Sequence, residues 1–203
     1  KPVEPFPAFS FIKGEPFANI SGKRLGIEEV EPFFDWNMFA AIWGIKSGTG
    51  HDELRKLRAD AHKEIDRLKN GNACRITISA RFDGCHSEGD DIVSKDFRLP
   101  MLRQEGERSL ADFVPPKEYG FESPMGMFAI SVRTESHPSG CDCPACGTEY
   151  GPMLTRAVRL TLAEAASEWL SRHIAIRVQR GEGHQACGGV FKLPGPHAQA
   201  GYS

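Results

Sequence analysis

The sequence lacks a run of 18 apolar residues, which is about the length that a membrane-spanning helix needs. It also lacks a long block of charges of one sign, and its formal net charge is only −2. Both observations argue against a membrane protein and against a domain that coats nucleic acid. The N-terminus, Lys1-Pro2-Val3-Glu4-Pro5, has no initiator Met and does not resemble a signal peptide. We therefore expect an N-terminus that was cut or is incompletely represented.

Two signatures of doubly wound nucleotide-binding folds are missing as well. No Gly-x-Gly-x-x-Gly follows a predicted strand, and predicted strands and helices do not alternate regularly. With 203 residues, of which 40 % are hydrophobic, the chain is long enough to bury a core without disulfides. Neighbouring segments look like hairpins. We predict a single α+β domain over residues 1–203, with a twisted, mainly antiparallel sheet and two long helices.

The two long helices are predicted from apolar residues that recur at steps of three and four. The first covers residues 52–69, and Asn70-Gly71 suits the left-handed conformation that often ends a helix. The second covers residues 153–174. Their apolar stripes consist of Leu54, Leu57, Ala61, Ile65 and Leu68 in the first helix, and of Leu154, Val158, Leu162, Ala165 and Trp169 in the second.

The remaining segments are predicted from alternation and composition. The Pro- and Gly-rich residues 1–30 are expected to form an irregular arm, and the aromatic residues 33–45 to be buried on all sides. Alternation from Cys74 onwards predicts a strand with one solvent-facing side, followed by a turn at 87–90. Further strands are predicted at 91–97, at 110–114, at 125–132 with apolar residues on both faces, and at 189–193.

Six cysteines are present, and three of them fall within six residues of a predicted loop at 137–149. Such bunching favours a metal site or a reactive loop in a reducing compartment over disulfides, so we expect a cytoplasmic protein. His184 and Cys187 have a spacing that could complete a tetrahedral zinc site. Free thiols, Zn²⁺, and an iron–sulfur cluster or redox disulfide all remain open. The candidate metal ligands are Cys141, Cys143, Cys146 and Cys187.

Six groups of short motifs resemble, in the same order, the reactivation domain of cobalamin-dependent methionine synthase. Each match is weak alone, but six in family order over about residues 24–203 are specific together. The chain is identified by them as a member of that family. The motifs are Asp35-Trp36-x-x-Phe39-x-x-x-Trp43; residues 58–68; Gly89-Asp90-Asp91-Ile92 with Leu102-Arg103-Gln104; residues 109–120 with 125–130; residues 162–170; and Gly201-Tyr202.

The resemblance implies a shallow groove that binds S-adenosylmethionine and holds its methyl group toward cobalamin. It implies that Asp35 contacts the amino group of the methionine moiety, that Glu164 lies near the ligand, and that Gly201 and Tyr202 lie against it. A carboxylate suits an ammonium because charge-assisted hydrogen bonds are strong. A helix-capping role for Asp35 and a solvated position for Glu164 are the alternatives.

The chain departs from the family at Asn37-Met38, where the family has Thr-Pro, and at an expected ligand-binding position. His197 stands where the family has an arginine, and histidine lacks the permanent planar fork that pairs with a carboxylate. Capture of the ligand carboxylate is therefore weaker here, or it falls to Lys192, or the alignment with the family is shifted locally. We still count His197 among the expected ligand-binding residues.

The resemblance also implies a place in a larger system. The chain would be a module of methionine synthase rather than a self-sufficient enzyme, with no catalytic residue of its own. Its partners would be a cobalamin-binding domain and a flavodoxin-like electron donor. Two alternatives are a non-catalytic docking subunit with a metal at the cysteine loop, and a reductive activator of another corrinoid methyltransferase whose cysteine loop carries electrons.

Overall fold

The structure is a computed structural model that describes residues 17–45, 51–135, 137 and 148–179, without the side chains of residues 51 and 175–179. Short 3₁₀ turns cover Glu31–Phe33, Leu110–Phe113 and Lys117–Tyr119. The other elements are β1 (Ile20–Leu25), α1 (Ile27–Val30), α2 (Trp36–Ile42), α3 (His51–Asn70), β2 (Cys74–Glu88), β3 (Asp91–Val93), β4 (Arg98–Pro100), β5 (Ser123–Thr134) and α4 (Tyr150–Gln179).

These elements fall into two compact units. The helical unit comprises residues 18–81 and 126–173, and so holds β1, the four helices up to residue 173, and parts of β2 and β5. The hairpin unit contains residues 82–125, with Phe17 and the end of α4 assigned to it. A single domain over the whole chain stays a prediction.

In the helical unit, β1 and β5 both pair with β2. The β1–β2 pairing is antiparallel, with Leu25 opposite Ile76 and Arg24 opposite Thr77. Ile76 and Ile78 are buried whereas Arg75 is exposed, which confirms the predicted strand with one solvent-facing side.

Both predicted long helices are confirmed. The predicted stripes are buried except at one end of each, where Leu54 of α3 and Trp169 of α4 are half-buried. The left-handed residue after α3 is Asn72, with φ 48°, rather than Asn70 or Gly71. The chain reverses there because Ala73 N–H donates to the Leu68 carbonyl at 3.0 Å, closing the last turn of the helix.

The hairpin unit is built on two short antiparallel pairings, β2 with β3 and β3 with β4. Ser87 of β2 lies opposite Ile92 of β3, and Ile92 lies opposite Leu99 of β4. Its buried apolar cluster is small. The cluster consists of Cys85, Ile92, Ala111 and Val114, with Phe97, Leu99, Met101 and Met125 packed against it.

The predicted strand at 110–114 is wrong, because Leu110–Phe113 is a 3₁₀ turn. Ser109 is its N-cap, and the hydroxyl accepts a hydrogen bond from Ala111 N–H at 3.2 Å. The Asp112 carboxylate in turn accepts a hydrogen bond from Ser109 N–H at 2.9 Å. This reciprocal capping satisfies backbone N–H groups at the start of the turn. Its hydrogen bonds favour the 3₁₀ conformation over the strand that the apolar pattern predicted.

Other local predictions also need correction. The part of the irregular arm that the structure describes contains a strand and a helix from Ile20 onwards. The returning strand at 91–97 ends at Val93, and a separate strand begins at Arg98. The predicted strand at 189–193 lies outside the described residues.

Two predictions of all-round burial are wrong. The aromatic segment 33–45 exposes Ile42, and β5 exposes Phe128 although its apolar residues had suggested burial on both faces. The aromatic segment buries Phe34, Phe39 and Ala40, whereas β5 has only half-buried and exposed residues after Ser123. No helix in the described ranges has the length and apolar character required to span a bilayer.

Candidate functional site

Asp35 is the N-cap of α2. Its Oδ1 accepts hydrogen bonds from Asn37 N–H at 2.8 Å and from Met38 N–H at 3.1 Å. The capping role that sequence analysis offered as an alternative is therefore present. The residue is nevertheless exposed, so its carboxylate is both held in place by the helix and open to a ligand.

An aromatic cluster fixes the segment around Asp35. Phe34 and Trp36 have ring centroids 4.6 Å apart, and both rings contact Phe39 at 5.7 and 5.8 Å. Phe39 is completely buried. Because three rings in contact allow little movement of the backbone that carries them, the direction of the Asp35 side chain is set by this packing.

Helix α3 adds two basic side chains to the aromatic cluster. The ring of His62 lies 4.6 Å from that of Trp36, and the guanidinium of Arg58 lies 5.6 Å from it as a cation–π partner. Arg58 Nε is buried and has no hydrogen-bond partner in the described part of the chain. Sequence analysis did not predict these neighbours of Trp36, although the i, i+4 spacing of Arg58 and His62 indicates a shared helix face.

Glu164 lies on the exposed side of α4, next to the buried Ala165. Further along the helix, Trp169 stacks on His173 at 4.8 Å, and Lys23 of β1 lies 4.7 Å from the Trp169 ring. Within the described ranges, no hydrogen bond or ion pair joins Asp35 to Glu164, so their convergence on one ligand stays a prediction.

A buried carboxylate fixes α4 on α3. Glu64 is 5 % exposed and accepts hydrogen bonds from Arg67 at 2.8 and 2.9 Å and from Thr155 at 2.7 Å. His137, the first residue of the predicted cysteine loop, places Nε2 3.3 Å from the same carboxylate. Burial opposes the charged form, but the hydrogen bonds from Arg67 and Thr155 outweigh it and hold the pKa of Glu64 below its usual value.

A second contact between these helices joins Tyr150 to Asp60. The Tyr150 hydroxyl donates to Asp60 Oδ2 at 3.0 Å. Burial, together with this acceptor and its charge, raises the pKa of Tyr150 to about 12, so the phenol stays protonated and keeps the bond. The helix that carries Glu164 is thus tied to α3 by polar contacts as well as by its apolar stripe.

Several predicted site residues cannot be placed. They lie outside the described residues, and each remains a prediction: His197, Gly201 and Tyr202 for the ligand, and Cys141, Cys143, Cys146 and Cys187 for a metal. In the ranges that are described, no group of three or more His, Cys, Asp or Glu side chains could hold a metal ion.

Comparison with known protein families shows which family the chain belongs to. Residues 26–181, well over half of the chain, match the family described as vitamin B12 dependent methionine synthase, activation domain. The chain belongs to this family. The match confirms the predicted membership and contains the segment with Asp35, helix α3 and the described part of α4.

A solved structure supports the fold of this activation domain. The chain is similar to a crystal structure of the MetH reactivation domain bound to AdoHcy, with a TM-score of 0.68 and 22 % sequence identity. The match covers 85 % of this chain and 60 % of that chain, so the activation domain spans less than two thirds of its solved relative. This likeness confirms the predicted α+β fold with an antiparallel sheet.

The extent of the family match separates the predicted site residues of the activation domain into two groups. Asp35 and Glu164 lie inside residues 26–181, whereas His197, Gly201 and Tyr202 lie beyond them. Of the predicted metal ligands, Cys187 also lies beyond. The first group is therefore the better basis for a functional proposal.

Proposed function

We propose that this activation domain binds S-adenosylmethionine and presents its methyl group for the reductive methylation of cob(II)alamin on a partner domain or subunit. Asp35 carries the proposal: its exposed carboxylate is oriented by helix capping within the sequence that matches the family. Support also comes from the MetH reactivation domain, which has a similar fold and was crystallised with AdoHcy.

The chemistry that we propose needs positioning rather than acid–base groups. One electron and the methyl group of S-adenosylmethionine would convert cob(II)alamin to methylcobalamin and release S-adenosylhomocysteine. The protein would hold the methionine moiety through its ammonium group at Asp35, and Glu164, His197, Gly201 and Tyr202 would complete the groove. A charge-assisted hydrogen bond to Asp35 would contribute about 1.5–3 kcal/mol.

Arg58 is our candidate for the ligand carboxylate. Its guanidinium is close to Trp36, next to Asp35 in sequence, and its buried Nε has no hydrogen-bond partner in the described residues. A ligand carboxylate would satisfy this donor with the planar geometry that His197 cannot supply. Arg58, on α3, would then supply the guanidinium group that is missing at position 197.

The partners and the location follow from the same proposal. A cobalamin-binding domain would have to approach the exposed methyl group, and a flavodoxin-like protein would supply the electron. We propose that this takes place in the cytoplasm. Zinc at the cysteine loop is a separate proposal, supported only by the spacing of Cys141, Cys143, Cys146 and Cys187.

Calorimetric titration with S-adenosylmethionine tests the proposal, with Asp35→Asn as the informative variant. Asparagine caps helices about as well as aspartate, so the fold is retained while the charge is removed. We expect binding in the wild type and binding at least tenfold weaker in Asp35→Asn. Asp66→Asn, an exposed change on α3, is the matched control and should bind like the wild type.

Two results would contradict the proposal. One is the absence of binding in the folded wild-type protein, which would favour the docking-subunit alternative. The other is equal binding by the wild type and Asp35→Asn, which would move the ligand away from Asp35. A loss of binding in Arg58→Gln, with the thermal midpoint unchanged, would support the assignment of the carboxylate to Arg58.

A further inference from the structure

Three exposed arginines occur on the three adjacent strands of the helical unit. Arg24 lies on β1, Arg75 on β2 and Arg133 on β5, and β2 pairs with both neighbours. Within the described ranges, no carboxylate oxygen lies within 4 Å of any of the three guanidinium groups. Three guanidinium groups on neighbouring strands that form no ion pair repel one another.

The strand register brings these arginines together. Arg24 lies opposite Thr77, so Arg75 is its diagonal neighbour on the same face. After β5, Glu135 N–H donates to the carbonyl of Ala73 at 2.8 Å, just before β2. The end of β5 therefore lies beside the start of β2, and the two strands run away from this contact in opposite directions. Arg133, two residues before Glu135, consequently lies beside Arg75, two residues after Ala73.

The arginines border a groove of about 500 Å³. This volume falls in the range of about 300–1,000 Å³ that is usual for small-molecule sites. Leu25, Leu68 and Ile76 lie beneath the groove, but they are buried and present almost no apolar surface to a ligand. A ligand would thus meet mainly polar groups, among them three guanidinium groups at the rim.

The other charged residues of the groove do not cancel the arginines. Lys69 forms an ion pair with Glu31. Glu28 and Glu135 line the groove and are exposed, but neither forms an ion pair with an arginine in the described residues. Their carboxylates are suited to accept hydrogen bonds from hydroxyl or amino groups of a ligand.

We propose that this groove binds a small molecule that has one or more phosphate groups. The guanidinium groups of Arg24, Arg75 and Arg133 bind the phosphate, since a planar fork of N–H donors matches phosphate oxygens. Neither Asp35 nor Glu164 lines the groove, so this site is separate from the one proposed for S-adenosylmethionine.

Calorimetric titrations of the full chain with ADP, pyrophosphate and adenosine test this proposal. We expect ADP to bind, adenosine to bind at least about tenfold more weakly, and Arg75→Gln and Arg133→Gln each to weaken ADP binding about tenfold. Arg159→Gln, an exposed change on α4 outside the groove, is the control and should leave ADP binding unchanged. Saturating S-adenosylmethionine should not displace ADP.

Several outcomes would overturn the proposal. These are failure of both ADP and pyrophosphate to bind, equal affinities for ADP and adenosine, or equal losses in Arg159→Gln and the groove variants. Displacement of ADP by S-adenosylmethionine would show that the two sites are one. The thermal midpoints of the variants should stay at or above that of the wild type, because removing one of these arginines relieves repulsion and breaks no ion pair within the described residues.

Discussion

The two units of this activation domain are stabilised in different ways. The helical unit buries large side chains completely, among them Phe39, Ile65 and Leu162. In the described part of the hairpin unit, the buried apolar cluster consists of four residues, of which Ile92 is the largest, and Phe82 is buried besides. The helical unit therefore depends mainly on the removal of apolar surface from water, whereas the hairpin unit needs further interactions.

Ion pairs near the surface supply those interactions in the hairpin unit. Arg103 contacts Asp112 at 2.6 Å and Asp90 at 2.8 Å. Glu88 accepts hydrogen bonds from Lys117 and from Arg98, and these bonds lower the pKa of Glu88 to about 2. Such pairs are screened by salt and lost on protonation, so the hairpin unit should be the more sensitive of the two to salt and pH.

The tryptophans give a convenient measurement of this difference. All three, at positions 36, 43 and 169, belong to the helical unit. Tryptophan fluorescence therefore reports unfolding of that unit, whereas amide exchange at Ser87 and Ile92 reports opening of the hairpin unit. The four predictions below use these two signals, beginning with the largest expected effect.

Leu162→Ala should cost the helical unit about 3–4 kcal/mol, because it leaves a cavity where a completely buried side chain was. The midpoint of urea unfolding, followed by tryptophan fluorescence, measures the loss. Leu160→Ala, on the same helix but 44 % exposed, should cost less than about 1 kcal/mol. Similar losses in the two variants would show that the α4 stripe is not the core of this unit.

Glu64→Gln should cost about 3 kcal/mol, because it leaves Arg67 partly buried without its carboxylate. The pKa of Glu64 is lowered in the folded protein. Its contribution is therefore complete above the ordinary glutamate pKa of about 4.3 and decreases as the pH falls through the lower folded value. The difference in free energy of unfolding between the wild type and Glu64→Gln, measured by denaturation at several pH values, gives this contribution, and Asp66→Asn is the control. A difference that grew on acidification would contradict the assignment.

Asp112→Ala should cost the hairpin unit about 1–2 kcal/mol, because it removes the pair with Arg103 and the hydrogen bond from Ser109 N–H. Faster amide exchange at Ile92 with unchanged tryptophan fluorescence is the expected result. Glu105→Gln changes an exposed charge in the neighbouring loop and should have little effect. An equal change in the fluorescence transition would mean that the two units do not respond separately.

Glu88→Gln should have the smallest effect, since the side chain lies near solvent. Amide exchange at Ser87 should accelerate slightly at low salt, and the difference should vanish at about 1 M NaCl, where screening acts over about 3 Å. Because the pKa of Glu88 is lowered to about 2, the difference should be complete above the ordinary glutamate value and fade as the pH falls toward 2. A salt-independent difference would exclude an electrostatic cause.

Periodicity in the sequence predicted the parts of the fold that apolar burial determines. The stripe containing Ile65, the stripe containing Leu162 and the alternation at Ile76 all occur where predicted. The turn at 110–113 could not be predicted from apolar residues, because the capping contacts between Ser109 and Asp112 determine its conformation. Exposure of β5 depends on what covers the strand, and periodicity does not contain that information.

The candidate site was predictable only in part. Motif resemblance pointed to Asp35, and the structure adds that this residue caps α2. Arg58 and the groove arginines were not predicted, because their significance comes from neighbours that are distant in sequence. Arg24, Arg75 and Arg133 become a cluster only when strand pairing brings three separate segments together.

Each unit also contains a shielded thiol. Burial raises the pKa of Cys74, in the helical unit, to about 11. Burial, with the nearby charges of Asp83 and Glu122, raises the pKa of Cys85, in the hairpin unit, to about 11 as well. At neutral pH almost no reactive thiolate exists at either position until the surrounding structure opens. After replacement of the other four cysteines by serine, the rates at which the two thiols react with an alkylating reagent would time the opening of each unit independently.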